Sequence, residues 1–335
     1  MSYGKQLPII LSSLLLIAAF GLPAQDGGLG GPVSGLVFDA RAGAIRPVLG
    51  VPGGSHLGAA SASGLSWAAV APSGKLALGF SDGRLLLLRR LPDLSMSPTL
   101  LEEGAGVPAI AAWSASSDAV AVYWAETARL QVWKSLNSEP VAAEPVNLSG
   151  IAGRVTALAV QRWGTGVVFG VAAEGGGGVY SASAGEAPNL VVPAANAAAI
   201  ALAPNGTDLY VADLASRQVL EARDYRGSGT AVPIATAESG AAEYAGMALS
   251  PDGKRLFVAD KGDRSLSVLD LESRSTVART ALEFVPELLQ PLSESGLFLL
   301  NKASDTEPFQ VLDGSAEPLI YFVPTAELPA EEATL

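Results

Sequence analysis

Short apolar runs alternate with polar turns over most of the chain. The clearest stretch places Met247-Ala248-Leu249 and Leu256-Phe257-Val258 on either side of Ser250-Pro251-Asp252-Gly253. Proline pre-sets φ for the first central turn position, aspartate can bond its own backbone, and glycine accepts positive φ at little cost. The stretch therefore predicts strand, tight turn, strand. Asp260-Lys261-Gly262-Asp263-Arg264 follows as a polar turn. From Ser265 to Leu271 the residues alternate, with Leu266 and Val268 opposite Ser265 and Ser267, which predicts a third strand with two unlike faces.

The same grammar recurs. Ile200-Ala201-Leu202 leads through Pro204-Asn205-Gly206 to Leu209-Tyr210-Val211-Ala212-Asp213, and Val70-Ala71 leads through Pro72-Ser73-Gly74 to Leu76-Ala77-Leu78. Weaker copies start at Ala111, Ala157 and Leu288. Aligning the turns makes Gly74, Ser117, Gly164, Gly206, Gly253 and Gly296 equivalent, at spacings of 43, 47, 42, 47 and 43 residues. A period of roughly 40–50 residues with four strands per unit predicts an all-β propeller of four-stranded antiparallel blades. Six copies are expected at 65–102, 109–148, 155–192, 197–235, 245–280 and 286–323. Residues 35–49 resemble the last two strands of a further blade, with Pro47 marking an edge strand. Seven blades follow if the N-terminal strands form most of the odd blade and the C-terminal end supplies the rest, so that both termini close the ring. Six blades with a capping hairpin is the alternative. A ring must close, because open sheet edges invite aggregation.

Leu209-Tyr210-Val211-Ala212-Asp213 and Leu256-Phe257-Val258-Ala259-Asp260, with their Pro-Asn-Gly and Pro-Asp-Gly turns, resemble the YVTN-type propeller repeat. Leu130-Gln131-Val132-Trp133-Lys134 is more similar to the third strand of a WD40 repeat, although Trp133-Lys134 stands where that repeat closes on Trp-Asp. The resemblance covers roughly residues 65–323. It implies a bacterial, exported propeller, seven-bladed in the better-known members of the family, and its motifs specify a blade without carrying catalytic residues.

Composition changes this picture in two ways. The 335 residues include no cysteine, which excludes disulfides, thiolate metal sites and a lipid anchor on a cysteine. With 33 acidic against 21 basic residues the net charge is −12, a surface that repels phosphate backbones, so nucleic acid is not an expected partner. Residues 1–24 read as a signal peptide. Lys5 is a short positive start, Leu7 to Leu22 is largely apolar, and Leu22-Pro23-Ala24 precedes the expected cut. An uncleaved anchor is the alternative, but about 16 residues fall short of the ~20 that a helical span needs. Residues 25–34 then form a flexible lead, 35–323 the propeller, and 324–335 a disordered acidic tail. The mature chain is expected to lack a membrane span, to be periplasmic or secreted, and to be a monomer.

Propeller chemistry gathers at one mouth of the central channel. Turns between second and third strands carry Asp82, Glu126, Glu174, Asp213, Asp260, Asp263 and Asp305. Carboxylates around one mouth could chelate a hard cation, which takes oxygen ligands. Aspartate also ends strands and caps turns, and that reading is preferred. His56, the only histidine, cannot make a multi-histidine metal site, and no Gly-x-Ser-x-Gly elbow accompanies it. Gly175-Gly176-Gly177-Gly178 lacks the following Lys-Ser/Thr of a phosphate cradle and predicts a hairpin loop. Trp124 and Trp163 are the surface candidates among five tryptophans, and Arg89-Arg90 reads as a solvated pair. No catalytic residue, metal site or cofactor is assigned. The function this supports is a non-enzymatic binding or protein-interaction scaffold in the cell envelope, taking a protein or small molecule at the channel mouth. A lactonase-like hydrolase using the mouth carboxylates and a subunit of an envelope assembly are the alternatives, since the fold hosts several of these roles.

Overall fold

The computed structural model of the chain describes residues 31–227, 229–236, 243–302 and 307–325. Its strands form seven antiparallel sheets, and a single 3₁₀ turn at Arg162–Gly164 is the only helical element among the described residues. The first sheet holds β1 (Val33–Asp39), β2 (Ala44–Leu49) and β3 (His56–Leu57). The second holds β4 (Trp67–Val70), β5 (Leu76–Ser81), β6 (Arg84–Arg89) and β7 (Thr99–Glu103), and the third β8 (Ile110–Trp113), β9 (Ala119–Trp124), β10 (Arg129–Lys134) and β11 (Val141–Ala142). The fourth holds β12 (Arg154–Val160), β13 (Gly166–Ala172), β14 (Gly178–Ser183) and β15 (Asn189–Pro193), and the fifth β16 (Ala197–Leu202), β17 (Leu209–Asp213), β18 (Gln218–Ala222) and β19 (Val232–Thr236). The sixth holds β20 (Tyr244–Leu249), β21 (Arg255–Asp260), β22 (Ser265–Asp270) and β23 (Ser275–Ala281), and the seventh β24 (Gln290–Pro291), β25 (Leu297–Leu299), β26 (Phe309–Asp313) and β27 (Leu319–Val323). In the six four-stranded sheets every strand pairs with its sequence neighbours.

The core explains why these sheets form a ring. Buried apolar side chains fall into seven clusters, and each cluster joins one sheet to the next. Leu36 and Ile45 of the first sheet pack on Val70, Ala77 and Leu88 of the second. The series runs on through each consecutive pair. It closes where Val37, Val48 and Leu57 of the first sheet meet Leu292, Leu299, Phe309 and Val323 of the seventh. Middle strands are therefore buried on both faces: β9 (AVAVYW) and β17 (LYVAD) have no exposed residue. Small residues allow the close approach. A Cβ on Gly170 of β13 would lie 2.8 Å from Ala197 Cβ, and one on Gly35 of β1 would lie 2.5 Å from Leu292 Cγ.

The hairpins joining first and second strands share one geometry. Gly74, Ser117, Gly164, Gly206, Gly253 and Gly296 all have positive φ, between 56° and 91°. In five of them the residue's N–H donates to the carbonyl three positions back, at 2.8–2.9 Å. Neighbouring turns also touch around the ring. Ser73 N–H donates to Ser117 Oγ at 3.0 Å, and Cβ atoms on Gly253 and Gly296 would lie 3.1 and 3.0 Å from the rings of Pro204 and Pro251.

The first sheet departs from expectation. It has three strands, not two, and β1 begins at Val33, inside the segment expected to be a flexible lead. Pro47 lies in its middle strand, not at an edge, opposite Leu36. Its carbonyl accepts from Gly58 N–H at 2.8 Å just past the end of the two-residue β3, so the ladder ends where the proline's missing donor would next be needed. Residues 35–49 do not pair with the seventh sheet; the two meet through side chains. β1 pairs with β2 alone, and its other edge, toward the ring axis, has no partner among the described residues. The chain past β27 reaches Thr325, whose carbonyl accepts from Arg41 at 3.5 Å on the β1–β2 turn. Residues 1–30, including the expected signal peptide, and 326–335 of the expected tail lie outside the described residues.

Candidate functional site at the channel mouth

The first strands of consecutive sheets line the ring axis. At the end where they begin, those of the third to sixth sheets converge on an open cavity of about 350 Å³. Ile110, Val155 and Ala198 from three first strands, and Leu214 from the turn after β17, supply apolar lining. Tyr123 and Tyr244 add aromatic surface, and Arg154 and Glu243 are the charged lining residues. The turns between second and third strands open onto this same face, because antiparallel connection returns each second strand to where the first began.

Two expected mouth acids sit beside the cavity and are already engaged. Asp213 ends β17 and is buried; its Oδ1 accepts from Asn196 N–H at 2.8 Å and Ala215 N–H at 3.3 Å, and its Oδ2 from Ser216 N–H at 3.3 Å. Asp260 ends β21 and repeats the arrangement. Its Oδ1 accepts from Gly262 N–H at 2.9 Å, Glu243 N–H at 3.1 Å and Asp263 N–H at 3.3 Å. Each carboxylate thus ties the turn it starts to the residue that enters the first strand of its sheet. A third copy of the motif is Asp39, at the end of β1. It is followed, like the other two, by a four-residue turn whose last residue has positive φ: Gly43 at 57°, Arg217 at 57° and Arg264 at 49°. With no first strand beside it among the described residues, Asp39 is satisfied differently. Arg41 donates through N–H (3.2 Å), Nε (3.1 Å) and Nη2 (3.1 Å), and Arg46 Nη1 lies 3.6 Å from Oδ2. Burial pushes the Asp39 pKa up, but the Arg41 hydrogen bonds and charge outweigh it, and the carboxyl is held below its usual range.

The other candidates are dispersed. Asp82 is exposed in a tight turn at φ 51°, with Arg84 at 3.7 Å. Glu126 lines a smaller cleft of about 160 Å³ with Trp124 and Arg129. Glu174 is exposed at the start of the glycine turn, which forms the expected hairpin with Gly175 and Gly176 at positive φ and Gly178 opening β14. Asp263 is bound by Arg279. His56 is exposed in β3, the strand of the first sheet farthest from the axis, and is not brought to the mouth. Asp305 lies outside the described residues. Among the described residues no three His, Asp or Glu side chains are grouped as metal ligands.

Two side chains differ from their expected roles. Trp124 is buried, not at the surface; its Nε1 donates to Gly106 O at 2.7 Å, and Trp133 packs edge-on at 6.0 Å, because the strand that carries it is covered on both faces. Arg89 is not a free solvated residue; it donates to Leu136 O at 3.1 Å and Ser138 O at 2.6 Å in the next sheet. Trp163 is 56% exposed, as expected, on the face opposite the mouth.

Sequence reasoning missed Arg154, Tyr244 and Asp39. Arg154 opens β12 and has no ion pair or hydrogen-bond partner from its side chain among the described residues. Glu243, by contrast, faces Lys261 at 3.7 Å. Tyr244 opens β20, and its hydroxyl is buried without a hydrogen-bond partner. Burial, then the Asp260 and Asp213 carboxylates, push its pKa up to about 12, so it stays a neutral donor. The available signal is positional: both open first strands, whereas the candidate acids lie on the turns that follow second strands. Asp39 was legible from its spacing to the next strand, which is that of Asp213 and Asp260.

No family model matches the chain, and no curated protein matches it in sequence. Solved structures do share its fold. A protein of Bacteroides fragilis provisionally assigned as a 6-phosphogluconolactonase aligns with TM-score 0.61 at 13% identity, over 87% of this chain and 92% of its own. A protein of unknown function from Desulfotomaculum acetoxidans gives 0.60 at 12%, over 85% and 93%, and hydrazine synthase of Kuenenia stuttgartiensis gives 0.56 at 12%, over 86% and 98%. At these identities the likeness is one of fold.

Proposed function

We propose that this propeller is a binding protein whose ligand enters the channel mouth between the third and sixth sheets. The observation that carries this is the state of the mouth acids. Asp213 and Asp260, which a hydrolase of this plan would use, each spend their carboxylate on three backbone N–H donors. Beside them lies a half-apolar cavity with unengaged polar groups, the combination typical of a binding site. Kinship with YVTN-type repeats and action as a monomer outside the cytoplasm, in the periplasm or secreted, belong to the same reading. Lys5, the apolar run from Leu7 to Leu22 and the repeat motifs support it.

The test is a thermal-shift screen of the purified chain against a panel of small metabolites, run beside a pH-stat assay of lactone opening. Ligand-dependent stabilisation that is lost when Ala198→Trp fills the cavity, without acid release from any lactone, is the expected result. Catalytic lactone opening that fails in Asp213→Asn or Asp260→Asn would overturn the reading in favour of a hydrolase. Fractionation of the native host, with N-terminal sequencing of the recovered chain, tests export; an uncleaved cytoplasmic protein would refute it.

A further inference from the structure

We infer that the mouth cavity binds a small organic carboxylate, with the anionic head on Arg154 and an apolar body over Ile110, Val155, Ala198 and Leu214. This rests on the proposed function, that the cavity is the binding site, and adds the chemistry of its ligand. The cavity has one charge left over. The chain is strongly acidic, yet the acids around this cavity are neutralised or used: Glu243 by Lys261, Asp263 by Arg279, and Asp213 and Asp260 by backbone N–H groups. Of the two charged lining residues, Arg154 alone has no ionic partner among the described residues. A guanidinium presents a planar fork of donors that matches a carboxylate. It stands at the rim of a first strand, and the lining beyond it includes the aliphatic side chains of Ile110, Val155, Ala198 and Leu214. A ligand complementary to that surface carries one anionic end and one apolar end. Tyr244 contributes a second feature, a buried hydroxyl without a partner in the cavity wall, which a small rotation could offer to a ligand oxygen.

The pair of probes that reads this directly is 3-phenylpropionate and 3-phenylpropanol, which share an apolar body and differ in charge. Isothermal titration of the full chain should show the acid binding at least about tenfold more tightly than the alcohol, since a hydrogen bond to a charged group is worth that much or more. The preference should shrink at high salt. Arg154→Gln, at an exposed position that should not disturb folding, should bring the acid to the level of the alcohol, and Arg154→Lys should restore part of the difference. Equal affinity for acid and alcohol, an unaffected Arg154→Gln protein, or no binding of either probe would overturn the carboxylate inference while leaving the cavity open to another ligand. Binding of the acid that survives Ala198→Trp with a native melting temperature would place the site elsewhere and overturn the proposed function as well.

Discussion

The two faces of the ring are built from turns of unlike behaviour. On the face away from the mouth, six hairpins repeat one backbone conformation, five of them with the same hydrogen bond, and several lean on the neighbouring turn. On the mouth face the turns differ in length and in what satisfies them. Asp82 turns in two residues, whereas Asp213 and Asp260 hold four-residue turns through backbone amides and Asp39 is held by two arginines. The difference teaches where the constraint lies. A turn whose partners are its own backbone is fixed by local sequence and repeats with it. A turn whose partner is another strand or side chain takes whatever the neighbourhood offers, and such turns are free to diverge toward function.

Substitutions can break this contrast, and the largest effect is expected at Asp39. Asp39→Ala leaves Arg46 buried without its carboxylate and should cost about 3 kcal/mol in denaturant unfolding, in the range for removing one partner of a buried pair. A loss below about 1 kcal/mol would show that Arg41 and Arg46 find other acceptors. The same carboxyl gives a pH dependence. Its folded pKa lies below the unfolded value of about 3.9, so its contribution is fully present above that value and is lost as pH falls through the folded pKa. Melting temperature should therefore fall more steeply with acid in the native chain than in Asp39→Asn; parallel curves would contradict the assignment.

Next in size, on the opposite face, Gly253→Val should cost roughly 1–3 kcal/mol. It places a branched side chain at φ 68° with its Cβ 3.1 Å from the Pro204 ring. An unchanged thermal midpoint would mean that this turn is not held by its neighbour. Asp260→Ala removes a cap on three amides and should cost about 1 kcal/mol. The smallest effect is the sharpest for function. Asp213→Asn and Asp260→Asn keep an oxygen acceptor and should each cost under about 1 kcal/mol, with the same result in calcium or chelator. A calcium-dependent rise in melting temperature, abolished in the double variant, would show that these two carboxylates bind a cation.

This contrast also marks what could be read from the residues alone. Six sheets were legible nearly to their ends: in three of them Pro-Asn-Gly, Pro-Asp-Gly or Pro-Ser-Gly fixes the hairpin locally, and the other three follow at the same period of apolar runs. The first sheet was misread for a physical reason. Pro47 is a sound edge signal only when the neighbouring strand is long enough to need its donor, and β3 is two residues long. The candidate acids were found by position, but their state was not legible. Whether an aspartate caps or chelates is decided by the amides that reach it, and those of Asn196 and Glu243 come from the residues that lead into the first strands. Arg154 was invisible for the converse reason: an unpaired cation is defined by the absence of partners, which only the folded arrangement of Lys261 and Glu243 makes apparent.

The seam between the first and seventh sheets has a mechanical meaning. At the other seams the sheets follow one another in sequence, and at all of these but the fifth-to-sixth the connecting residues are described throughout, so separation is limited by a covalent tether. Here, among the described residues, Val37, Val48 and Leu57 meet Leu299, Phe309 and Val323 through side chains, and Arg41 reaches the Thr325 carbonyl just past the seventh sheet. Dispersion contacts fall away steeply once a gap opens between the packed surfaces. Under load, or in thermal breathing, the ring behaves as a clasped bracelet whose clasp is this interface. The cavity lies on the third to sixth sheets, none of which borders this clasp, so the clasp can loosen while the mouth keeps its shape.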